Sequence, residues 1–193
     1  MKNASLALLL IGLALMPAAC SSPETSSEAV AQTSGGLPTP SALATTGLGE
    51  APDFRLPTLA GDSLGLSDLQ GQIVVVNFWA TWCAPCIQEI PELNALHDEL
   101  NPHGLTVLGI SLDQEGAVIV RPFAERLDIT YPILLDEGTV AEAFGGVWGL
   151  PTTFVIDAEG QIMQRVIGLF PVAEMRPEFR TMLDLPPAST TAQ

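Results

Sequence analysis

The sequence predicts an α/β fold, a mixed central sheet flanked by helices on both faces, and three observations lead there. Ile73-Val74-Val75-Val76 is a β-branched run with no polar alternation, the pattern of a strand buried on both faces of a sheet. A helix must follow soon after, because Pro85 is tolerated only in a first helical turn, where its missing N–H costs nothing. Late in the chain, residues 153–156 and 161–167 flank the turn Asp157-Ala158-Glu159-Gly160, which predicts an antiparallel hairpin, and a closing helix follows. Strands alternating with helices, then a hairpin and a helix, place parallel and antiparallel pairs in one sheet.

The elements run in this order. Ala51-Pro52-Asp53-Phe54-Arg55-Leu56 predicts an edge strand, the turn Ala60-Gly61-Asp62 a hairpin toward Leu64-Gly65-Leu66, and Ser67-Asp68-Leu69 a short helical turn. The strand opening at Ile73 ends near Phe78. The helix opening at Cys83 runs to about Leu100, with Ile90, Leu93, Leu96 and Leu100 as its buried stripe and Pro91 as a kink. Residues 105–112 predict a second buried strand and 118–127 a helix in which Pro122 marks a delayed start or a break. An extended segment over 131–135 and a short helix over 139–144 come next. The closing helix lies within 170–185, with Pro171 at its start and Pro177 interrupting it.

Outside 49–185 the composition changes. Residues 1–19 carry one lysine and an apolar run over 6–16, too short for a membrane span and suited to a signal-peptide core. Pro17-Ala18-Ala19-Cys20 resembles a bacterial lipobox, with Cys20 as the lipidated mature N-terminus, although Pro17 replaces the usual aliphatic residue; cleavage at an ordinary small-residue site is the alternative. Residues 20–48 are rich in Ser, Thr, Ala, Gly and Pro and read as a flexible tether, and 186–193 as a disordered tail. The 193 residues suffice for one domain with a sizeable core. Acidic residues number 22 against 7 Lys+Arg, a net charge of −15, and Lys2 is the only lysine, so nothing basic is clustered to neutralise nucleic-acid phosphates.

Cys83 and Cys86 carry the chemistry. At a helix N-terminus, unpaired amides and the positive end of the macrodipole favour a thiolate, so Cys83 is expected to ionise below the free-thiol value. Cys86, one turn on, can close a disulfide with it, the exposed sulfur attacking and its inner neighbour resolving. Such a pair could instead be half a zinc site, but the only further ligands are the distant Cys20, His97, His103 and scattered carboxylates. The strand before and the helix after favour redox chemistry, and no metal is expected.

Phe78-Trp79-Ala80-Thr81-Trp82-Cys83-Ala84-Pro85-Cys86 resembles the active-site segment of the thioredoxin superfamily, and most of all its extracytoplasmic TlpA/ResA-like, AhpC/TSA-related branch, which also contains the cytochrome c maturation thioredoxins. Ala51-Pro52-Asp53-Phe54, Cys86-Ile87-Gln88-Glu89-Ile90-Pro91 and Gly149-Leu150-Pro151-Thr152-Thr153-Phe154 match the same branch. The resemblance implies a thioredoxin-like fold with a central insertion over 131–144 and a thiol–disulfide oxidoreductase that needs no cofactor beyond the Cys83–Cys86 disulfide. It also implies a cis Pro151 facing the sulfurs, backbone groups at Leu150 that pair with substrate, and a groove including Trp82, Ala84, Pro85 and Thr152. Thr152 stands where the cytochrome c maturation thioredoxins carry glutamate, so a general reductase of exported protein disulfides is expected. Its electron donor would be a membrane thiol transporter, its location the periplasmic side of the cell envelope, anchored through Cys20, and its state a monomer.

The resolving cysteine needs a base. Many thioredoxins place a buried aspartate where this chain has Asn77, and some TlpA/ResA relatives a glutamate where it has Ala84. Glu89, three residues beyond Cys86 on the same side of the helix, is the candidate acceptor, or else a solvated helix-face carboxylate or a partner contact. Trp82 would shield the groove and Trp79 pack in the core; Trp148 either lines the groove or packs. Two rival functions stay open. The histidines raise a copper-binding module, although His97 lies several helical turns beyond Cys83. Ala51-Pro52-Asp53-Phe54 also occurs in thiol peroxidases, but the proline they carry shortly before the reactive cysteine is absent here while Thr81 is present.

Overall fold

The computed structural model describes residues 48–187. The expected signal peptide, Cys20, the expected tether up to residue 47 and the expected tail from residue 188 lie outside the described residues. Strands β1 (Arg55–Pro57) and β2 (Ser63–Gly65) form a separate antiparallel hairpin, Leu56 opposite Leu64, and a 3-10 turn at Leu66–Leu69 follows. Then come β3 (Ile73–Trp79), α1 (Ala84–Leu100), β4 (Leu105–Ser111), α2 (Ala117–Arg126), β5 (Ile133–Leu135), α3 (Thr139–Ala143), β6 (Thr152–Ile156), β7 (Ile162–Ile167) and α4 (Val172–Met182). No helix among the described residues is long and apolar enough to cross a membrane.

The main sheet has the order β5-β4-β3-β6-β7. Strand β3 is central, parallel to β4, with Val75 opposite Val107, and antiparallel to β6, with Val75 opposite Val155. All seven residues of β3 and of β4 are buried, as an unalternated apolar run requires when both faces are covered. On one face Val75, Leu105 and Val155 pack with Leu93 and Leu96 of α1, Phe123 of α2 and Phe179 of α4. On the other, Val74, Val76, Phe78 and Phe154 meet Phe54, Leu56 and the α3 side chains Val140 and Ala141. The second face is thus closed by one five-residue helix together with the N-terminal hairpin. Phe144 joins that layer, its ring centroid 4.8 Å from Phe154 and 5.5 Å from Phe78. Gly109 of β4 is glycine for a steric reason: a Cβ there would stand 2.8 Å from Tyr131 Cε2 and 2.9 Å from Trp79 Nε1.

Three expectations change. The predicted edge strand over 51–56 shrinks to Arg55–Pro57 and does not join the main sheet. Its first residues instead tie to the β6–β7 turn, with the Ala51 N–H donating to Gly160 O at 2.9 Å, while Pro52 has no N–H to add to a ladder. Pro122 neither delays nor breaks α2, and Pro177 does not interrupt α4. Each proline forfeits a bond to the carbonyl four residues back, at Val118 and Ala173. Both of those residues are exposed, so solvent can reach the carbonyls that the prolines leave without a donor.

Candidate active site

Strand β3 ends at Trp79 and the chain turns through Ala80, Thr81 and Trp82 to Cys83, which is the N-cap of α1 with Pro85 in the first turn. Cys83 and Cys86 are joined in a disulfide, Cα to Cα 5.3 Å. The Cys86 N–H donates to Cys83 Sγ at 3.3 Å. That donor is one of the amides a helix start leaves without a carbonyl partner, and when the bond is reduced it faces the sulfur best able to carry charge. Neither cysteine is open to solvent: Cys83 is 5 % exposed and Cys86 1 %. The outer sulfur is therefore reached through a groove rather than standing free.

That groove encloses about 580 Å³ and is lined by Cys83, Ala84 and Pro85 on one side, Val147 to Leu150 on the other, with Trp82 and Leu112 at its margins. None of these side chains is charged. The Leu150–Pro151 peptide is cis. Pro151 is buried behind the groove wall, and its carbonyl accepts the Gly168 N–H at 2.8 Å. Leu150 lines the groove, and its own N–H and C=O enter none of the backbone hydrogen bonds of the surrounding turns. Thr152 does not reach the groove: it is fully buried, and its hydroxyl donates to Gly149 O at 2.7 Å, securing the wall from behind. Trp79 is core, as expected; Trp82 and Trp148 are both exposed groove residues.

Glu89 is no solvated helix-face carboxylate. It is 4 % exposed and lies one turn beyond Cys86 on the buried face of α1. Its Oε1 accepts from the Asn77 amide at 2.7 Å and its Oε2 from the Phe170 N–H at 2.9 Å. Burial pushes this carboxyl above the usual glutamate range, against the pull of those two donated hydrogen bonds. Asn77 spans to Thr153 Oγ1 as well, at 3.0 Å, so the amide on β3 orients the acid on α1. His97 is committed elsewhere, its Nδ1 accepting the Val107 N–H at 3.3 Å, and His103 is exposed. Among the described residues there is no cluster of three or more metal-ligating side chains.

Sequence reasoning missed Asp113. Its buried carboxylate accepts from the Thr81 N–H at 3.0 Å, the Thr81 hydroxyl at 2.8 Å and the Ser111 hydroxyl at 2.9 Å, holding the loop that delivers Cys83. The only signal was an aspartate two residues past a buried strand, which is common in loops.

A family model described as AhpC/TSA matches residues 49–165. The chain belongs to the AhpC/TSA family. The thiol-disulfide oxidoreductase ResA of Bacillus cereus is 36% identical over 119 residues, covering 62% of this chain and 68% of that protein. The thioredoxin-like protein YneN of Bacillus subtilis (strain 168) is 36% identical over 127 residues, 65% of this chain and 74% of its own. Among solved structures, a thiol:disulfide interchange protein of the thioredoxin family from Chlorobium tepidum TLS superposes with a TM-score of 0.64 at 31% identity, covering 70% of this chain and 96% of that one. The chain accordingly has a thioredoxin-like fold and is a thiol–disulfide oxidoreductase, acting on protein thiols and disulfides through Cys83 and Cys86.

Proposed function

We propose that the protein works as a reductase of disulfides in exported polypeptides, held at the periplasmic side of the cell envelope as a monomer through a lipidated Cys20. The observation that carries the redox reading is the Cys83–Cys86 disulfide at the N-terminus of α1, opening on an uncharged groove beside the cis Leu150–Pro151 peptide. In the reduced state the Cys83 thiolate attacks one substrate sulfur, forming a mixed disulfide and releasing the other as a thiolate that takes a proton. Cys86 then loses its proton and attacks Cys83 Sγ, restoring the internal disulfide and releasing the second substrate thiol. Two electrons pass from the sulfurs to the substrate; one proton comes from Cys86 and the other from solvent, which took it when Cys83 ionised, and no further cofactor enters. A membrane thiol transporter returns the electrons.

Of the buried carboxylates Glu89, Asp113 and Asp136, Glu89 alone shares the helix of Cys86. Its raised proton affinity suits it to receive the Cys86 proton, directly or through one water. Free Leu150 backbone groups suit an extended substrate strand. The test is a Cys86→Ser variant mixed with unfolded, disulfide-bonded exported proteins: stable mixed disulfides at Cys83 are expected, together with cleavage of insulin disulfides by the reduced wild type. Absence of both would remove the reductase reading.

A further inference from the structure

Trp148 is 89 % exposed, and with Trp82 at 72 % it places two indoles at the one groove that contains the reactive sulfur. Large apolar side chains exposed together, rather than singly, mark a surface that is covered in use. The ring is also seated. A Cβ on Gly146 would stand 2.9 Å from Trp148 Nε1 and 3.0 Å from Cε2 and Cζ2, so the indole rests where only glycine leaves room.

Gly145 and Gly146 both have positive φ, 81° and 84°, and the loop is pinned on two sides. The Gly146 N–H donates to Ala141 O at 3.0 Å, and the Arg165 guanidinium donates to Gly146 O at 2.7 Å. An aromatic held in advance loses little conformational freedom on binding. Beyond it the apolar surface continues, because Ile167 Cγ2 lies 3.6 Å from where a Gly149 Cβ would sit, and Ile167 is itself exposed.

We infer that Trp148 is a specificity-determining residue, its indole covering an apolar or aromatic side chain next to the cysteine of the substrate polypeptide. The occupant follows from the floor of the groove: whatever reacts with Cys83 must lie there, and the walls offer it no charge in a chain of net charge −15. Cysteines and large apolar residues are the types most often buried once a chain has folded, so the favoured substrate is a chain not yet folded, its disulfide made too early or between the wrong partners. This inference rests on the oxidoreductase reading.

The experiment uses the full-length reduced protein and two short peptide disulfides of equal charge, one with Phe beside each cysteine and one with Ser. For the wild type, kcat/KM should favour the Phe peptide about tenfold, a difference of about 1.4 kcal/mol. Trp148→Ala should bring that ratio to within about twofold of unity, with Trp148→Phe restoring most of it, the scale expected of one aromatic contact. Val118→Ala, which removes an equally exposed apolar side chain from α2 outside the groove, should keep the wild-type ratio. A Trp148→Ala ratio equal to the wild type, or a wild type without preference, overturns the inference. A wild type that reduces neither peptide overturns the oxidoreductase reading beneath it.

Discussion

Replacing Glu89 by Gln asks whether this carboxyl handles the Cys86 proton. The carboxylate accepts two hydrogen bonds, from Asn77 and from the Phe170 N–H, whereas a glutamine offers one oxygen. With that oxygen toward Phe170, the new amide meets the Asn77 side chain, which retains Thr153 as a partner. The loss is then about one buried hydrogen bond, ~1–3 kcal/mol. Relief from burying a charge opposes it, leaving a net cost of roughly 0–2 kcal/mol, which lowers a urea midpoint by about 1 M or less at a slope of ~2 kcal/mol/M. The folded variant can therefore be assayed. General base assistance is commonly worth ~10²–10⁴-fold, so escape of the second substrate thiol from the mixed disulfide should slow by at least about 100-fold. Mixing reduced enzyme with a peptide disulfide, quenching with acid at millisecond intervals and weighing the trapped species by mass spectrometry follows this step alone. A mixed disulfide that decays at the wild-type rate in Glu89→Gln, at every pH tested, refutes the assignment.

Three further outcomes are expected. Burial raises the folded Glu89 carboxyl above its ordinary value of 4.5, so the folded chain holds this proton more tightly than the unfolded one. The associated stability is complete below the unfolded value and is lost as pH rises through the folded one. Urea midpoints of wild type and Glu89→Gln should accordingly separate as pH climbs from about 4.5, the wild type declining relative to the variant; parallel curves would contradict the shift. Asp113→Ala leaves the Thr81 N–H and hydroxyl and the Ser111 hydroxyl without their acceptor, and should cost ~1–3 kcal/mol in denaturant melts and speed alkylation of reduced Cys83 as its loop loosens. Unchanged stability and alkylation would mean that water replaces the carboxylate fully. Leu93→Ala empties a site with no solvent exposure between α1 and the sheet and should lose ~2–5 kcal/mol, read by the same melts; a loss under ~1 kcal/mol would show that α1 settles inward to fill the gap.

The residues that made the fold legible carry strong local rules. An unalternated β-branched run gave β3 to within a residue, and a proline two places after Cys83 could only mark the first turn of α1. The β6–β7 hairpin was equally plain, since Asp157-Ala158-Glu159-Gly160 separates two apolar segments. Pro122 and Pro177 misled because proline reports a lost hydrogen bond, not which side of the helix loses it; on a wet face the loss is small enough for packing of Phe123 and Phe179 to outweigh it. The site was legible in its sulfurs and its cis proline. Its polar supports were not, because they join residues distant in sequence: Asn77 to Glu89 and Thr153, Glu89 to Phe170, Thr81 to Asp113. Thr152 was misplaced for a related reason. Alternation along β6 does not say that its first hydroxyl is already engaged by Gly149.

Cys86 and Glu89 are carried on a single rod with no joint between them. Any shift of α1 against the sheet would carry sulfur and acid together and leave the gap that a proton must cross unchanged in length. The strain of such a shift would fall on the mooring of the acid to Asn77 and to the backbone of Phe170, behind the reaction and not across it.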